Sequence, residues 1–257
     1  IVIDDIKVIM TQPGHSRLVI VKVMTSEPGL YGLGCATFTQ RIHAVAATIE
    51  THLKPLLVGR DVARIEEIWQ MSMVQGYWRN GPVLNNAISG IDQALWDIKG
   101  KRAGMPLYEL FGGKCREAAH VYVHADGLTR EAVAERARAF MAEGFRYIRI
   151  QMGGYGGEAA TFVKPDNALD GAYFDPRAYC RNTLDMMAHV RAEAGPEVEL
   201  LHDVHERLTP IDAVQFAKDV EQFRLFFLED VLAPEDIAWF ERIRQQCATP
   251  LAMGELF

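Results

Sequence analysis

Hydrophobic and polar positions divide the chain into two parts with different periodicities. In the first part, short segments rich in branched apolar residues alternate with Pro-Gly turns, which predicts an antiparallel meander over residues 6–10, 18–24 and 31–36. Apolar residues then recur at helical spacing and predict helices over residues 45–56, 65–73, 83–103 and 105–111. Strands followed by helices indicate a separate α+β domain over residues 1–115.

From residue 116 onward, strands and helices alternate strictly. Strands are predicted over residues 119–124 and 147–151, followed by three more near residues 200, 226 and 251. Helix starts are predicted at Thr129, Asp175-Pro176, Thr209-Pro210 and Ala233-Pro234. Serial strand–helix units predict a TIM-type (β/α) barrel over residues 116–257, of which only the first five strands are present. An open sheet would leave a long unpaired edge, so we expect this sequence to be part of a longer protein.

The last three predicted strands each end in a carboxylate, at Asp203, Glu229 and Glu255, and the two intervals between these acids are equal. Parallel strands present their carboxyl ends on one rim, so three acids in equal register would repel one another unless a cation lay among them. Three oxygen ligands favour a hard divalent ion such as Mg²⁺. A single strand-end acid can equally cap the next helix or face water, but three together favour a metal site.

Composition and charge narrow the class of function. The formal net charge of −7 argues against a nucleic-acid or anionic-membrane surface, and no apolar run approaches the roughly 18 residues of a membrane span. The four cysteines lack CxxC spacing and are typical of free thiols in a reducing cytoplasm. We therefore expect a cytoplasmic protein that binds neither nucleic acid nor membranes.

Three histidines accompany the predicted strand ends. If the strand that carries Asp203 continues two residues further, His205 shares its face and can act as a general acid toward a metal-bound substrate. His202 should point the opposite way and be structural. His124 ends the first strand and can donate a hydrogen bond to substrate, or it can be a polar rim residue.

Tyr155, in a glycine-flanked loop after the second strand, is a candidate phenolic base. A tyrosine pKa near 10 must fall before the side chain acts at neutral pH, and a guanidinium such as that of Arg149 would lower it. Packing on the loop is the alternative role. The surrounding glycines have neither GxGxxG nor P-loop spacing, and no GxSxG motif supports a serine nucleophile.

Several segments together resemble the enolase superfamily. Residues 86–101 (NAISGIDQALWDIKGK) and 104–108 are similar to the signature of its capping domain, and the spaced acids Asp203, Glu229 and Glu255 are similar to its Mg²⁺ ligands. Residues 77–82 (YWRNGP) and 201–210 (LHDVHERLTP) resemble more closely the mannonate dehydratase subgroup, which also contains D-galactonate dehydratase family members and RspA-like proteins. The implied fold is an α+β capping domain followed by a (β/α) barrel.

The resemblance implies a Mg²⁺-dependent hydro-lyase that dehydrates a small acid sugar such as mannonate, gluconate or galactonate. A base removes the proton α to the carboxylate, and a general acid expels the 3-hydroxyl to leave a 2-keto-3-deoxy acid. Arg149 matches the arginine that partners the tyrosine base of the subgroup, and His205 matches the acid. The resemblance also implies a homo-oligomer built from dimers.

Two departures from the subgroup leave alternatives open. The subgroup's tyrosine position is Thr161 here, so Tyr155 would replace it only with a rearranged loop. The first-domain loop reads Thr39-Gln40-Arg41, which places Gln40 as a substrate-binding candidate and leaves the sugar preference open. A different superfamily reaction such as racemisation, or a regulatory or binding protein without dehydratase activity, are the alternative functions.

Overall fold

The computed structural model of the chain describes residues 1–153, 166–167, 169 and 174–255. The chain divides into two compact units, Ile1–Ala118 and Ala119–Phe257, a division that falls just after the predicted boundary at residue 115. Among the helices described, none is both long enough and apolar enough to cross a membrane.

The first unit combines an antiparallel sheet with helices. The sheet has the order β1 (Ile3–Thr11), β2 (Leu18–Thr25) and β3 (Tyr31–Cys35). The helical segments are α1 (Ile42–Thr48), a π-helical turn (Ile49–Leu53), α2 (Lys54–Leu57), α3 (Ile65–Val74), α4 (Pro82–Ala103) and α5 (Leu107–Leu110). Alternate residues of β2 are buried, so one face of the sheet lies against the core. The predicted meander and the long helix predicted over residues 83–103 are confirmed.

Helix α4 lies unusually close to the edge strand β3. A Cβ atom added to Gly34 would lie 1.9 Å from the carbonyl oxygen of Gly90, so only glycine fits at this contact. Side chains of α4 also bond to the strand: Gln93 Oε1 accepts from Cys35 N at 3.0 Å, and Asp97 Oδ2 accepts from Leu33 N at 2.9 Å. The helix therefore satisfies backbone donors that an edge strand would otherwise expose.

The second unit is a five-stranded parallel sheet covered by helices. Its strands, in spatial order, are β4 (Val123–Gly127), β5 (Tyr147–Met152), β6 (Glu199–Asp203), β7 (Phe227–Glu229) and β8 (Leu251–Ala252). Among the described residues, the helices are α6 (Arg130–Ala142), α7 (Pro176–Ala194), α8 (Pro210–Asp219) and α9 (Ala238–Gln246), with 3₁₀ turns at Val220–Phe223 and Pro234–Asp236. Parallel strands that neighbour one another in chain order confirm the predicted partial barrel.

Three of the four predicted helix starts are capped by their own side chains. Thr129 accepts a hydrogen bond from Ala132 N, Asp175 from Arg177 N and Ala178 N, and Thr209 from Asp212 N. The fourth start, at Ala233-Pro234, opens a 3₁₀ turn instead of an α-helix.

Two predicted strands were misplaced. The strand expected over residues 119–124 runs from Val123 to Gly127, because its position is set by pairing with β5, from Val123↔Ile148 to Gly127↔Met152. His124 is thus near the start of its strand and does not end it. At the far edge, β8 ends at Ala252 and does not reach Glu255.

The close contact between α4 and β3 generates a prediction. Gly34→Ala should destabilise the first unit by about 1–3 kcal/mol, because the new methyl group overlaps the backbone of α4. Gly76→Ala is the control, since a Cβ there meets its nearest described atom at 3.6 Å and the backbone is not left-handed. Urea unfolding of both variants provides the measurement. Equal stabilities would show that the helix can move away at little cost.

Candidate active site

Arg149 lies buried at the centre of the candidate site, with 7% of its surface exposed. It occupies the middle of β5 and contacts residues on both neighbouring strands. Its Nη2 donates to Asp126 Oδ1 at 3.1 Å and lies 3.2 Å from His124 Nδ1, while its Nη1 lies 3.5 Å from Asp203 Oδ2. One guanidinium therefore connects β4, β5 and β6.

His205 forms an ion pair with Asp203. Its Nε2 lies 2.7 Å from Asp203 Oδ2, and its backbone N donates to Asp203 Oδ1 at 3.1 Å. The expected continuation of the strand to His205 is wrong, because β6 ends at Asp203 and the chain turns through left-handed conformations at His205 (φ +52°) and Glu206 (φ +57°). The turn, not strand alternation, brings the imidazole to the carboxylate.

The pKa of His205 is raised and that of Asp203 is lowered in this ion pair. The hydrogen bond to Asp203 raises the pKa of His205 and outweighs the opposing effect of burial. Burial disfavours the charged form of Asp203, but the hydrogen bonds and positive charge of His205, with the charge of Arg149, hold its pKa below the ordinary value. Each shift favours the charged form of its group.

The predicted metal ligands do not share one register. Asp203 and Glu229 are paired positions on β6 and β7, but the partner of Glu229 on β8 is Ala252. Glu255 follows the end of β8 and is exposed, so the prediction of three acids in equal register is wrong. Because β8 ends at Ala252, three residues before Glu255, equal intervals along the chain did not become equal positions on the sheet.

The negative charges of the neighbouring carboxylates nevertheless affect the ionisation of Glu229. Burial raises the pKa of Glu229, and the negative charges of Asp203, Asp230 and Glu255 raise it further. Carboxylate oxygens are the donors that Mg²⁺ prefers, so the donor set of Asp203, Glu229 and Glu255 fits such an ion chemically. Within the described part of the chain, no three His, Cys, Asp or Glu side chains are already gathered as a metal site, and the ligand assignment stays a prediction.

Asp230 is a site residue that the sequence reasoning missed. It is only 1% exposed, and its Oδ1 finds no hydrogen-bond partner among the described residues. Burial and then the charges of Asp203, Glu255 and Glu206 raise its pKa to about 6. Strand alternation predicts that it points away from Glu229, but its backbone is left-handed (φ +41°). The only signal of its role in the sequence was that Asp230 directly follows Glu229.

The remaining candidates are placed as follows. His124 stacks on Tyr122, with ring centroids 5.5 Å apart, and burial followed by the charge of Arg149 lowers its pKa. Gln40 is exposed in the first unit and accepts a hydrogen bond from Thr39 Oγ1 at 2.8 Å. Tyr155 and Thr161 lie outside the described residues. The substrate-binding roles of His124 and Gln40 stay predictions.

The sequence reasoning also missed Asp126, although it lies two residues after His124 on the same face of the strand.

Two family descriptions match most of the chain. Residues 3–112 match the N-terminal domain of the mandelate racemase / muconate lactonizing enzyme family, and residues 132–257 match the enolase C-terminal domain-like family. The chain is 55% identical over 272 aligned residues to a D-galactonate dehydratase family member, RspA, of Pantoea ananatis, covering 99% of this chain and 65% of that protein. It is 54% identical to a D-galactonate dehydratase family member of Enterocloster bolteae, covering 100% of this chain and 65% of that protein.

Solved structures agree with these matches. A crystal structure of an enolase from Pantoea ananatis with bound D-gluconate and Mg superposes with a TM-score of 0.92 at 53% identity, covering 100% of this chain and 66% of that one. A dehydratase structure from Mesorhizobium loti superposes with a TM-score of 0.82 at 27% identity, covering 100% and 67%. The chain thus spans about two thirds of the length of these relatives. Its fold, both domain matches and its close relatives show that the chain belongs to the enolase superfamily.

Proposed function

We propose that this protein is a Mg²⁺-dependent dehydratase of an acid sugar. One observation carries the proposal: an imidazole paired with a carboxylate, a buried guanidinium and further carboxylates meet near the carboxyl ends of parallel strands. This edge of a (β/α) barrel is where enzymes of this architecture bind their substrates. The relative from Pantoea ananatis that binds D-gluconate and Mg supports both the substrate class and the metal.

The crowded carboxylates support a cation as part of the active protein. Asp203, Glu229 and Glu255 would supply the oxygen ligands. Burial is the main cause of the raised pKa of Glu229, and the neighbouring negative charges, whose repulsion a cation would relieve, add to it. When bound, Mg²⁺ supplies positive charge that lowers the cost of negative charge developing on the substrate carboxylate.

The chain's own residues can carry out the proton transfers. His205, whose pKa is raised above the ordinary value of an imidazole, can serve as the acid that delivers a proton from Nε2 to the departing 3-hydroxyl, which leaves as water. Arg149 orients Asp203 and adds positive charge beside it. The proton α to the carboxylate needs a base, and Tyr155, which follows β5 in the sequence, is the candidate. Loss of that proton and of the hydroxyl gives an enol, which becomes the 2-keto-3-deoxy acid.

A second candidate function is that of a family member that binds acid sugars without dehydrating them. The observation that favours it is Thr161, which stands where the subgroup has its tyrosine base. A threonine hydroxyl cannot replace a phenol as a base near neutral pH, because its pKa is far higher.

The first prediction separates these two functions. The full-length protein with Mg²⁺ should form 2-keto acids from at least one compound in a panel of hexonates and pentonates that includes D-gluconate. His205→Asn should lower kcat by about 100-fold or more, because the proton donor is lost. His189→Asn on α7 is the matched control. Silence across the panel, combined with measurable binding of a sugar acid, would instead support the non-catalytic function.

The second prediction concerns metal affinity. Glu229→Gln should weaken Mg²⁺ binding by about tenfold or more, since a charged ligand becomes a neutral amide. Glu241→Gln, on the exposed surface of α9, is the control and should leave the affinity unchanged. Isothermal titration with MgCl₂ measures both. An unaltered affinity in Glu229→Gln would remove this residue from the ligand set.

The third prediction concerns the pH dependence of stability. Because the folded-state pKa of Asp230 is raised from 3.8 to about 6, its protonated form favours folding, and this contribution is lost as the pH rises through about 6. Asp230→Asn should therefore make the EDTA-treated protein more stable near pH 7, with a gain that shrinks toward about pH 4. Asp236→Asn is the control. Denaturant unfolding across this pH range would contradict the assignment if the gain did not depend on pH.

A further inference from the structure

The pairing between β5 and β6 stops earlier than that of the neighbouring strands. The β4–β5 ladder continues to Gly127↔Met152, and the β6–β7 ladder to Asp203↔Glu229, which is the end of β6. The β5–β6 ladder ends at Arg149↔Leu201. Two further residues of β6 therefore extend beside β5 without backbone pairing, and the second of them is Asp203.

Side chains make the connection where the backbone ladder is missing. His202 Nδ1 lies 2.8 Å from the carbonyl oxygen of Ile150, and Gln151 Nε2 donates to the carbonyl oxygen of Asp203 at 3.2 Å. These two bonds run in opposite directions, one from each strand. They join the ends of β5 and β6 at the positions where Arg149 and Asp203 approach each other.

The imidazole of His202 is itself held from the other side. The hydroxyl of Tyr179, on α7, lies 2.8 Å from His202 Nε2, and both side chains are buried. A carbonyl oxygen can only accept, so Nδ1 must donate to Ile150, and the neutral ring then accepts from Tyr179 at Nε2. Phe216 of α8 packs against both rings. The resulting chain of bonds runs from α7 through His202 to the backbone of β5.

This chain of bonds lies on the opposite face of the sheet from the candidate active site. Ile150 and His202 alternate along their strands with Arg149, Gln151 and Asp203, and Arg149 Nη1 lies 3.5 Å from Asp203 Oδ2. Tyr179 and His202 therefore touch neither Arg149 nor the carboxylate of Asp203. Their hydrogen bonds reach these groups through the two strands that carry them, in addition to the longer-range charge interactions of His202 with Asp203 and Arg149.

We propose that Tyr179 and His202 are positioning residues that fix the end of β5 against β6 and so set the placement of Arg149 relative to Asp203. The inference rests on the proposed function only where catalysis is measured. Outer contacts that orient a metal ligand commonly change affinity or rate by about tenfold or more when they are removed. The Tyr179–His202 pair would act in the same way, but through the backbone of the strands that carry Arg149 and Asp203.

The first test uses the wild-type protein and needs no activity. A long-range ¹H–¹⁵N spectrum of the histidine rings should show His202 as the neutral Nδ1–H tautomer, and a His202→Asn variant assigns the signal. An Nε2–H tautomer, or an imidazolium, at neutral pH would overturn the proposed chain of bonds. This result stands whether or not the protein dehydrates any acid sugar.

The second test uses Tyr179→Phe, which removes one oxygen and keeps the ring packing. Binding of MgCl₂ should weaken by about threefold to tenfold, and kcat for any acid sugar found should fall with little change in KM. Tyr147→Phe on β5 is the matched control, because a phenylalanine keeps its ring contact with Phe226. A folded Tyr179→Phe protein with wild-type Mg²⁺ affinity and kcat would overturn the positioning role, even if its Tm were lower.

The third test asks whether Tyr179 acts through His202. His202→Asn keeps a donor for Ile150 but loses the partner of Tyr179, so adding Tyr179→Phe should cause little further loss in Mg²⁺ affinity or in Tm. Independent losses that add would overturn the chain of bonds. If the wild-type protein binds no Mg²⁺ and dehydrates nothing, the proposed function fails, while the tautomer and the non-additive Tm changes still decide this inference.

Discussion

A buried guanidinium holds the candidate site together. Arg149 has almost no solvent around it, so its charge must be balanced by protein groups, and it contacts Asp126 on one neighbouring strand and Asp203 on the other. A lysine could make only one of these contacts well, because its charge is concentrated at a single nitrogen. The chemistry available to His205 depends on this arrangement, since Asp203 is the carboxylate that holds the imidazole and raises its pKa.

The two faces of the parallel sheet carry different kinds of polar group. Charged groups lie on the inner face, where they favour a cation and a negatively charged substrate. The outer face contributes neutral, fully bonded polar groups, Tyr179 and His202, within an apolar layer. Such a buried pair is costly unless each member is satisfied, and here each nitrogen of the imidazole has a partner. Hydrogen bonds on the outer face can thereby hold the strands in place although the charged groups on the inner face repel one another.

Much of the fold followed from local rules. Period-two and helical patterns, Pro-Gly turns and capping residues predicted most elements, because each depends on residues near one another in the chain. The predictions failed where pairing between strands set the position of an element. The first strand of the second unit moved to Val123–Gly127 to pair with β5, and β8 ended before Glu255. Cysteines also behaved as expected: all four are free.

The sequence by itself determined the order of elements, the family resemblance and the identity of Arg149, Asp203, Glu229 and His205 as polar residues near strand ends. Tertiary structure alone decided how they meet. A left-handed turn at His205, and not strand alternation, brings its side chain to Asp203. The link from Tyr179 through His202 to Ile150 joins residues that are distant in sequence, and no local pattern marks it. Periodicity reports the face on which a residue lies, whereas contacts between strands depend on register, which is fixed only when the sheet forms.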